Sequence, residues 1–205
     1  MPNPASPARP PVYLGLVFLW FAVSLTLAQT GRLERLRPPA PQLVLAGLTI
    51  ILVILTSQER GLHAWLQDLD LRWLLGLHVT RLFIGGYFLM LVRRGDLPAA
   101  FGVPAGWGDA FVGAFVLLLL TRGPPGGAGR RAWYVSWNWL GLLDLVLVVG
   151  TAARLALADP PSMIGLQRMP LSLLPTFWVP ILLASHVVLI RRLGALRALV
   201  VSGRG

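Results

Sequence analysis

The chain has 205 residues, of which 56% are hydrophobic and 13% are charged. A soluble domain carries roughly 25% charged residues, so this composition excludes a soluble globular domain and indicates an integral membrane protein. The net charge of +10 comes from 18 arginines without any lysine or cysteine, which excludes a retinal Schiff base, disulfides, thiolate metal sites and covalently attached c-type haem.

Six apolar runs follow one another along the chain, and each predicts a transmembrane helix because a helix satisfies its own backbone in lipid. The second and fourth runs are short and need flanking residues to cross the membrane. The first could also be a signal peptide ending at Ala28, but its length favours a retained helix. The runs cover residues 12–28, 43–57, 71–92, 105–121, 133–155 and 171–190. The predicted fold is all-α, a membrane bundle of six transmembrane helices in a single domain over residues 1–205.

The connections between the runs are short and rich in proline, glycine and arginine, so none predicts a separate domain. The arginines cluster beside the apolar runs, as at Arg32, Arg35 and Arg37. That pattern is typical of interfacial anchoring and topology control, so we expect the lipid bilayer and no nucleic acid as partner. With both termini inside, inner segments hold ten arginines and outer segments seven, which favours cytoplasmic termini. Residues 61–70 predict a short interfacial helix.

Polar residues within the apolar runs are the main functional signal, since a charge at the bilayer centre costs at least ~2.5–3.5 kcal/mol. The predicted intramembrane polar cluster contains His78, Arg81, Asn138, Asp144 and His186. Arg81 and Asp144 lie near mid-membrane at a rise of ~1.5 Å per residue, so their opposite charges predict a buried ion pair. This pair either only joins two helices or serves a proton or ion relay. Asp144→Asn is expected to leave Arg81 without its counter-charge.

The histidines give a second hypothesis. His78 and His186 fall in the same third of the membrane, so two neutral imidazoles would be placed to ligate a b-type haem axially. The alternative is two unrelated histidines, one hydrogen-bonded in the interior and one near the headgroups. Asn138 precedes Asp144 by six residues, about 120° around the helix. We therefore expect Asn138 beside the histidines and Asp144 beside Arg81.

A stretch rich in glycine and proline precedes the fourth run. Its Asp109 predicts a helix start, as an N-cap or first-turn acid. Alternatively the stretch is irregular at membrane depth, where Trp107 and Asp109 would line a cavity. Gly106, Ala110 and Ala114 form a stripe of small residues that permits close helix packing.

Two prolines interrupt the sixth run. Pro175 and Pro180 each free a backbone carbonyl one turn back, at Leu171 and Thr176. Broken helices of this kind occur near transporter sites, and they also occur as plain kinks.

Three phrases together carry a resemblance to a known family. They are LPAAFGVPAGWGD at residues 97–109, WNWLGLLDL at residues 137–145 and LPTFWVPILLASH at residues 174–186. In this order, over residues 71–193, the chain resembles a family of small, uncharacterised multi-pass bacterial membrane proteins. The resemblance implies a location in the bacterial inner membrane, and it implies no mechanism and no catalytic residues.

The sequence leaves three functional hypotheses open. The first is a small transporter-like or proton- or ion-handling protein that uses the buried polar cluster. The second is a b-type haem membrane subunit with His78 and His186 as ligands. The third is a non-catalytic scaffold or accessory subunit that binds other membrane subunits or a second copy of itself. The chain lacks a phosphate loop, a His-Glu-x-x-His zinc motif and a nucleophile elbow, which argues against an enzyme, and no metal site is predicted apart from the haem.

Overall fold

A computed structural model of the chain describes residues 10–202, and the side chains of residues 11–195. This part of the chain is helical and contains no strand. The α-helices are α1 Pro10–Gln29, α2 Ala40–Gln58, α3 Arg60–Asp68, α4 Leu71–Leu77, α5 Thr80–Arg94, α6 Ala99–Thr121, α7 Ala128–Ala158 and α8 Val179–Ser202. Short 3-10 helices occur at Leu33–Arg35 and Pro160–Gln167, and a π-turn at Leu174–Trp178 precedes α8.

Six helical segments are long and apolar enough to cross a membrane. The predicted all-α fold with six transmembrane helices is therefore confirmed. The segments cover residues 11–29, 40–58, 71–94, 99–121, 128–158 and 174–195. The prediction of a single domain stays a prediction, and the two termini, expected in the cytoplasm, lie outside the described residues.

The chain forms two compact units. The first contains the residues up to Leu69 together with Ala156–Ala184, and the second contains Asp70–Leu155 together with the residues from Ser185 onward. All residues of the predicted polar cluster belong to the second unit.

In the first unit, Pro175 lies within the π-turn Leu174–Trp178. Proline lacks an N–H and its ring crowds the carbonyl four residues earlier, so the regular pattern of helix hydrogen bonds cannot continue through it. The N–H of Val179 reaches back to the carbonyl of Leu174, five residues away. The carbonyl of Leu171 accepts the N–H of Leu174 at 2.9 Å, so it has a partner.

The second freed carbonyl of this span, at Thr176, obtains its partners from α1. Trp20 Nε1 donates to it at 3.0 Å and Ser24 Oγ at 3.3 Å. Phe177 packs edge-on against the Trp20 ring with 4.9 Å between centroids. A carbonyl without a partner is costly in lipid. The proline break therefore becomes a specific attachment point for α1.

The short helix α3 is held at its start by Glu59. The Glu59 carboxylate caps α3 by accepting the N–H of Leu62, and it also accepts the Tyr13 hydroxyl at 2.9 Å. These two hydrogen bonds hold the pKa of Glu59 below its ordinary value. Tyr13 also stacks on Trp65, with 5.8 Å between ring centroids. The contacts fasten α3 to α1.

In the second unit, the third membrane span is broken in its first half. α4 ends at Leu77 and α5 begins at Thr80. At the break, the N–H of His78 bonds to the carbonyl of Leu75 at 3.0 Å, one residue closer than in an α-helix. This tighter turn carries His78 into the interior, where its side chain is fully buried.

Glycines allow α5 and α6 to pack in close contact. A Cβ atom added at Gly85 would lie 2.7 Å from the backbone nitrogen of Ala110. One added at Gly106 would lie 3.0 Å from the Gly85 carbonyl, and one at Gly113 would lie 2.9 Å from the Cα of Leu82. Gly106 therefore takes part in the helix contact, as its place in the small-residue stripe predicts. Ala114, the last member of that stripe, is exposed.

The first prediction concerns this helix contact. Gly85→Ala should lower the free energy of unfolding by about 1–3 kcal/mol, because the new methyl group meets backbone atoms that cannot rotate away. The matched control is Gly86→Ala, since a Cβ at Gly86 meets nothing within 4 Å. Thermal unfolding in mild detergent measures both variants. Equal melting temperatures for the two would contradict the proposed packing.

Candidate functional site

The guanidinium of Arg81 is the centre of the candidate site. Arg81 lies in the first turn of α5 and is fully buried. Its Nε donates to Asp109 Oδ1 at 2.6 Å, its Nη1 donates to the Gly141 carbonyl at 2.9 Å, and its Nη2 donates to Asp144 Oδ2. We call Arg81, Asp109, Asp144 and the Gly141 carbonyl the arginine cluster. It joins α5 to α6 and α7.

Asp109 stands in the middle of α6 and not at its start. The helix begins at Ala99 and remains regular through Pro104 and the glycines around it. Both interpretations offered by the sequence, a first-turn acid and an irregular cavity-lining segment, are therefore wrong. A span in lipid has to pair its own backbone groups, and that requirement keeps this glycine-rich stretch helical. The Asp109 side chain is only 5% exposed.

A periodic signal in the sequence does identify Asp109. Gly102, Gly106, Asp109 and Gly113 follow one another at intervals of four, three and four residues, so they lie on one face of a helix. That face packs against α5, and the three glycines on it are buried. An acid in the middle of a close helix contact has to face a partner on the other helix. Here that partner is Arg81.

Trp107 lies apart from this face. It precedes Asp109 by two residues, about 200° around the helix, and it is 65% exposed. Trp107 and Asp109 therefore lie on different faces of α6. The residue between them, Gly108, has a different role, because a Cβ added there would lie 2.9 Å from the Asp144 Cγ. Gly108 leaves room for the Asp144 carboxylate.

The arginine cluster contains two carboxylates for one guanidinium. Asp109 and Asp144 both bond to Arg81. The expectation that Asp144→Asn leaves Arg81 without a counter-charge is therefore wrong, because Asp109 remains bound to it. With both carboxylates ionised, the cluster would carry a net charge of −1.

The two predicted histidines meet beside this cluster. His78 Nε2 lies 2.9 Å from Ser185 Oγ, and His186 Nδ1 lies 2.8 Å from Asn138 Oδ1. Asn138 Nδ2 donates to the His186 carbonyl at 3.2 Å. The two imidazoles are fully buried and touch, with 4.3 Å between ring centroids. We call His78, His186, Asn138 and Ser185 the histidine cluster.

The hydrogen bonds of Asn138 assign the proton on His186. The Asn138 amide nitrogen has to face the His186 carbonyl. The Asn138 oxygen therefore faces His186 Nδ1 and accepts a hydrogen bond from its N–H. In the neutral ring, His186 Nε2 is then an acceptor. This nitrogen and His78 Nδ1 are both buried without a protein hydrogen bond. The histidine cluster therefore contains two polar atoms without a partner.

The geometry of the histidine pair does not fit axial haem ligation. Each metal–imidazole bond is about 2 Å long, so two rings on opposite sides of one iron have centroids roughly 6 Å apart, with the porphyrin between them. Here the centroids are 4.3 Å apart and the rings are tilted by 46°. There is no slot for a porphyrin between these rings.

Gly141 joins the arginine cluster to the histidine cluster. Its carbonyl accepts from Arg81, and a Cβ added to it would lie 2.7 Å from the His186 Cε1. Trp137, one turn earlier on α7, packs edge-on against His78 with 5.0 Å between centroids. The Trp137 Nε1 donates to the Val112 carbonyl at 3.0 Å. α7 therefore contacts both clusters through Gly141, and it contacts the histidine cluster also through Trp137.

The chain matches one family model, described as a domain of unknown function (DUF8737), over residues 38–194. All members of both clusters lie within that range. The match agrees with the expected uncharacterised family, and it extends the range of the similarity to include α2. No curated protein and no solved structure matches the chain.

The second prediction concerns the arginine cluster. Arg81→Gln should lower the free energy of unfolding by about 3–5 kcal/mol, because it leaves two buried carboxylates without a cation. Arg81→Lys should not restore stability, since one ammonium cannot replace the planar guanidinium at three acceptors. Asp144→Asn should cost less, because Arg81 keeps Asp109. Yield and melting temperature in detergent test this order, and an Asp144→Asn variant as unstable as Arg81→Gln would contradict it.

The third prediction concerns the contact between the clusters. Gly141→Ala should lower the melting temperature, because its methyl group overlaps the buried His186 ring, which Asn138 holds in place. Gly150→Ala on the same helix serves as control, since a Cβ there meets nothing within 4 Å. A Gly141→Ala variant that melts with the control would show that the two clusters are not in close contact.

Proposed function

We propose that this chain, which belongs to the DUF8737 family, is a transporter-like protein of the bacterial inner membrane that binds and releases one proton at the arginine cluster. The observation that carries the proposal is the pairing of one fully buried guanidinium with two carboxylates from two other helices. The multi-pass location rests on the six apolar helices. The bacterial membrane rests on the sequence resemblance, and the cytoplasmic termini rest on the arginine count.

The charge of the cluster supports proton binding. An uncompensated charge in an apolar interior is expensive, and a buried ionisable group avoids the cost by neutralising. A guanidinium carries a positive charge in proteins, so Arg81 balances one of Asp109 and Asp144. No other side chain of the two clusters carries a positive charge unless His78 or His186 is protonated. A proton bound to the second carboxylate makes the cluster neutral.

Asp144 is the carboxylate best placed to exchange that proton. Its side chain is 20% exposed, whereas that of Asp109 is 5% exposed and that of Arg81 is fully buried. Asp144 lies near the centre of a long apolar span. A carboxylate that Arg81 does not balance is stable at that depth only where water reaches it, and the neutral acid is stable without water. Whether water reaches Asp144 therefore decides whether its carboxyl group is charged or protonated.

Arginine cannot pass a proton between the two carboxylates, because it does not deprotonate in proteins. It holds both acids in place. The nearby acceptors for a proton are the two unpartnered imidazole nitrogens, His186 Nε2 and His78 Nδ1. Gly141 contacts both clusters, so these two nitrogens lie beside the arginine cluster.

The fourth prediction tests proton binding and proton movement separately. In wild-type protein, infrared difference spectra across a pH titration should show the carbonyl band of a protonated carboxylic acid, and Asp144→Asn should remove it. In liposomes with an internal pH dye and an imposed potential, wild-type protein should conduct protons and Asp144→Asn should lose at least tenfold of that flux. The control is Asp96→Asn, an exposed acid in the turn between α5 and α6.

The outcomes distinguish a cluster that exchanges a proton from a cluster that only fixes the packing of the helices. A carboxylic acid band that persists in Asp144→Asn and disappears in Asp109→Asn would assign the exchanging proton to Asp109. Wild-type liposomes no leakier than empty ones, combined with no acid band, would contradict the proposal and favour a scaffold whose buried charges only fix packing. A flux that Asp144→Asn and Asp96→Asn reduce alike would also contradict it.

A further inference from the structure

The carboxyl group of Asp144 uses only one of its two oxygens within the arginine cluster. Asp144 Oδ2 accepts from Arg81 Nη2, whereas Oδ1 accepts no hydrogen bond from any described residue. The Asp144 side chain is 20% exposed, and that of Asp109 is 5% exposed. Asp144 Oδ1 is therefore open to a reactant from outside the helices.

A glycine on the neighbouring helix makes the opening to this oxygen. Gly108 is partly exposed, and a Cβ atom added to it would lie 2.9 Å from Asp144 Cγ and would also meet Oδ1. Any larger residue at this position would press against the carboxyl group and cover it. The lack of a side chain at Gly108 therefore leaves Asp144 accessible between α6 and α7.

The side chains around this opening are apolar and exposed. On α7, Leu140 lies one turn before Asp144 and Leu147 lies one turn after it, and the two leucines are 46% and 60% exposed. On α6, Phe111 lies one turn after Gly108 and is 59% exposed. The opening therefore lies on an apolar outer face of α6 and α7.

This face lies at membrane depth. Gly108 comes nine residues after the start of α6 and thirteen before its end, so at ~1.5 Å per residue it is about 14 Å or more from either end of the helix. Both helices are long and apolar enough to cross a membrane. Exposed leucine and phenylalanine side chains at this depth contact hydrocarbon. A reactant that enters the opening therefore comes from the lipid.

We propose that Asp144 is a carboxylic acid reached from the hydrocarbon of the bilayer, and that it is a modification site for lipid-dissolved carbodiimides. The modification depends on the proposed proton binding, because a carbodiimide reacts with a protonated carboxyl group. Asp109 stays paired with Arg81 at 2.6 Å, so a neutral acid at Asp144 leaves the guanidinium balanced. Beside hydrocarbon, the neutral acid costs far less than a carboxylate. The proton-loaded site is thus the form that faces lipid.

The modification retains every atom of both reactants. The carboxyl proton of Asp144 passes to one carbodiimide nitrogen while Oδ1 forms a bond to the central carbon, which gives an O-acylisourea. The other nitrogen then attacks the acyl carbon, whose bond to Oδ1 breaks, and that oxygen becomes the carbonyl of a stable N-acylurea. Hydrocarbon around the opening excludes the water that would otherwise hydrolyse the O-acylisourea back to the acid.

Two reagents, dicyclohexylcarbodiimide, which dissolves in lipid, and a cationic water-soluble carbodiimide, test the proposal on wild-type protein in liposomes. Peptide mapping by mass spectrometry locates the adducts. We expect the lipid-soluble reagent to modify Asp144 at least tenfold more than Asp109. The water-soluble reagent should modify the exposed Asp96 and leave Asp144 unmodified. Asp144→Asn should remove the lipid-soluble adduct, and the control Asp96→Asn should keep it.

The infrared acid band and the proton flux, measured on the same samples, separate lipid access from proton binding. An acid band assigned to Asp144 without a lipid-soluble adduct would overturn lipid access and leave proton binding intact. Modification of Asp144 by the water-soluble reagent to the same extent would also overturn lipid access, since water would then reach the site. Neither band nor adduct would overturn both proposals. An Asp144 adduct that leaves the flux unchanged would support lipid access and contradict the proposed function.

Discussion

A guanidinium without access to water is the constraint on which the second unit depends. A guanidinium keeps its charge in proteins and Arg81 is fully buried, so each of its three nitrogens needs an acceptor. Asp109 on α6 and both Asp144 and the Gly141 carbonyl on α7 supply them. Three helices are therefore joined through one side chain. Because hydrogen bonds to a charged group are strong at low dielectric, this contact selects one rotation of each helix about its axis.

Close helix contact makes this arrangement possible. An arginine that bonds to two neighbouring helices needs them near its own backbone, and Gly85 and Gly106 bring α5 and α6 together. Gly108 leaves space for the Asp144 carboxylate, and Gly141 leaves space for His186. In a membrane, where the lipid is as apolar as leucine, such packing and buried polar bonds replace the hydrophobic effect as the source of helix association.

The two units place their polar groups differently. In the second unit, the polar groups lie within the spans and bond to one another, which suits a proton that moves at membrane depth. In the first unit, Trp20 and Ser24 donate to the Thr176 carbonyl, and they join α1 to the start of the sixth span.

The sequence by itself determined the class of the protein and its six spans, because hydropathy depends only on the chain. Depth and opposite charge also pointed to Arg81 and Asp144 as partners. Only the tertiary structure decided which residues face each other, since helix rotation depends on packing. It placed Asp109 against Arg81 within a continuous α6. It also brought His78 and His186 into contact, too close to enclose a haem.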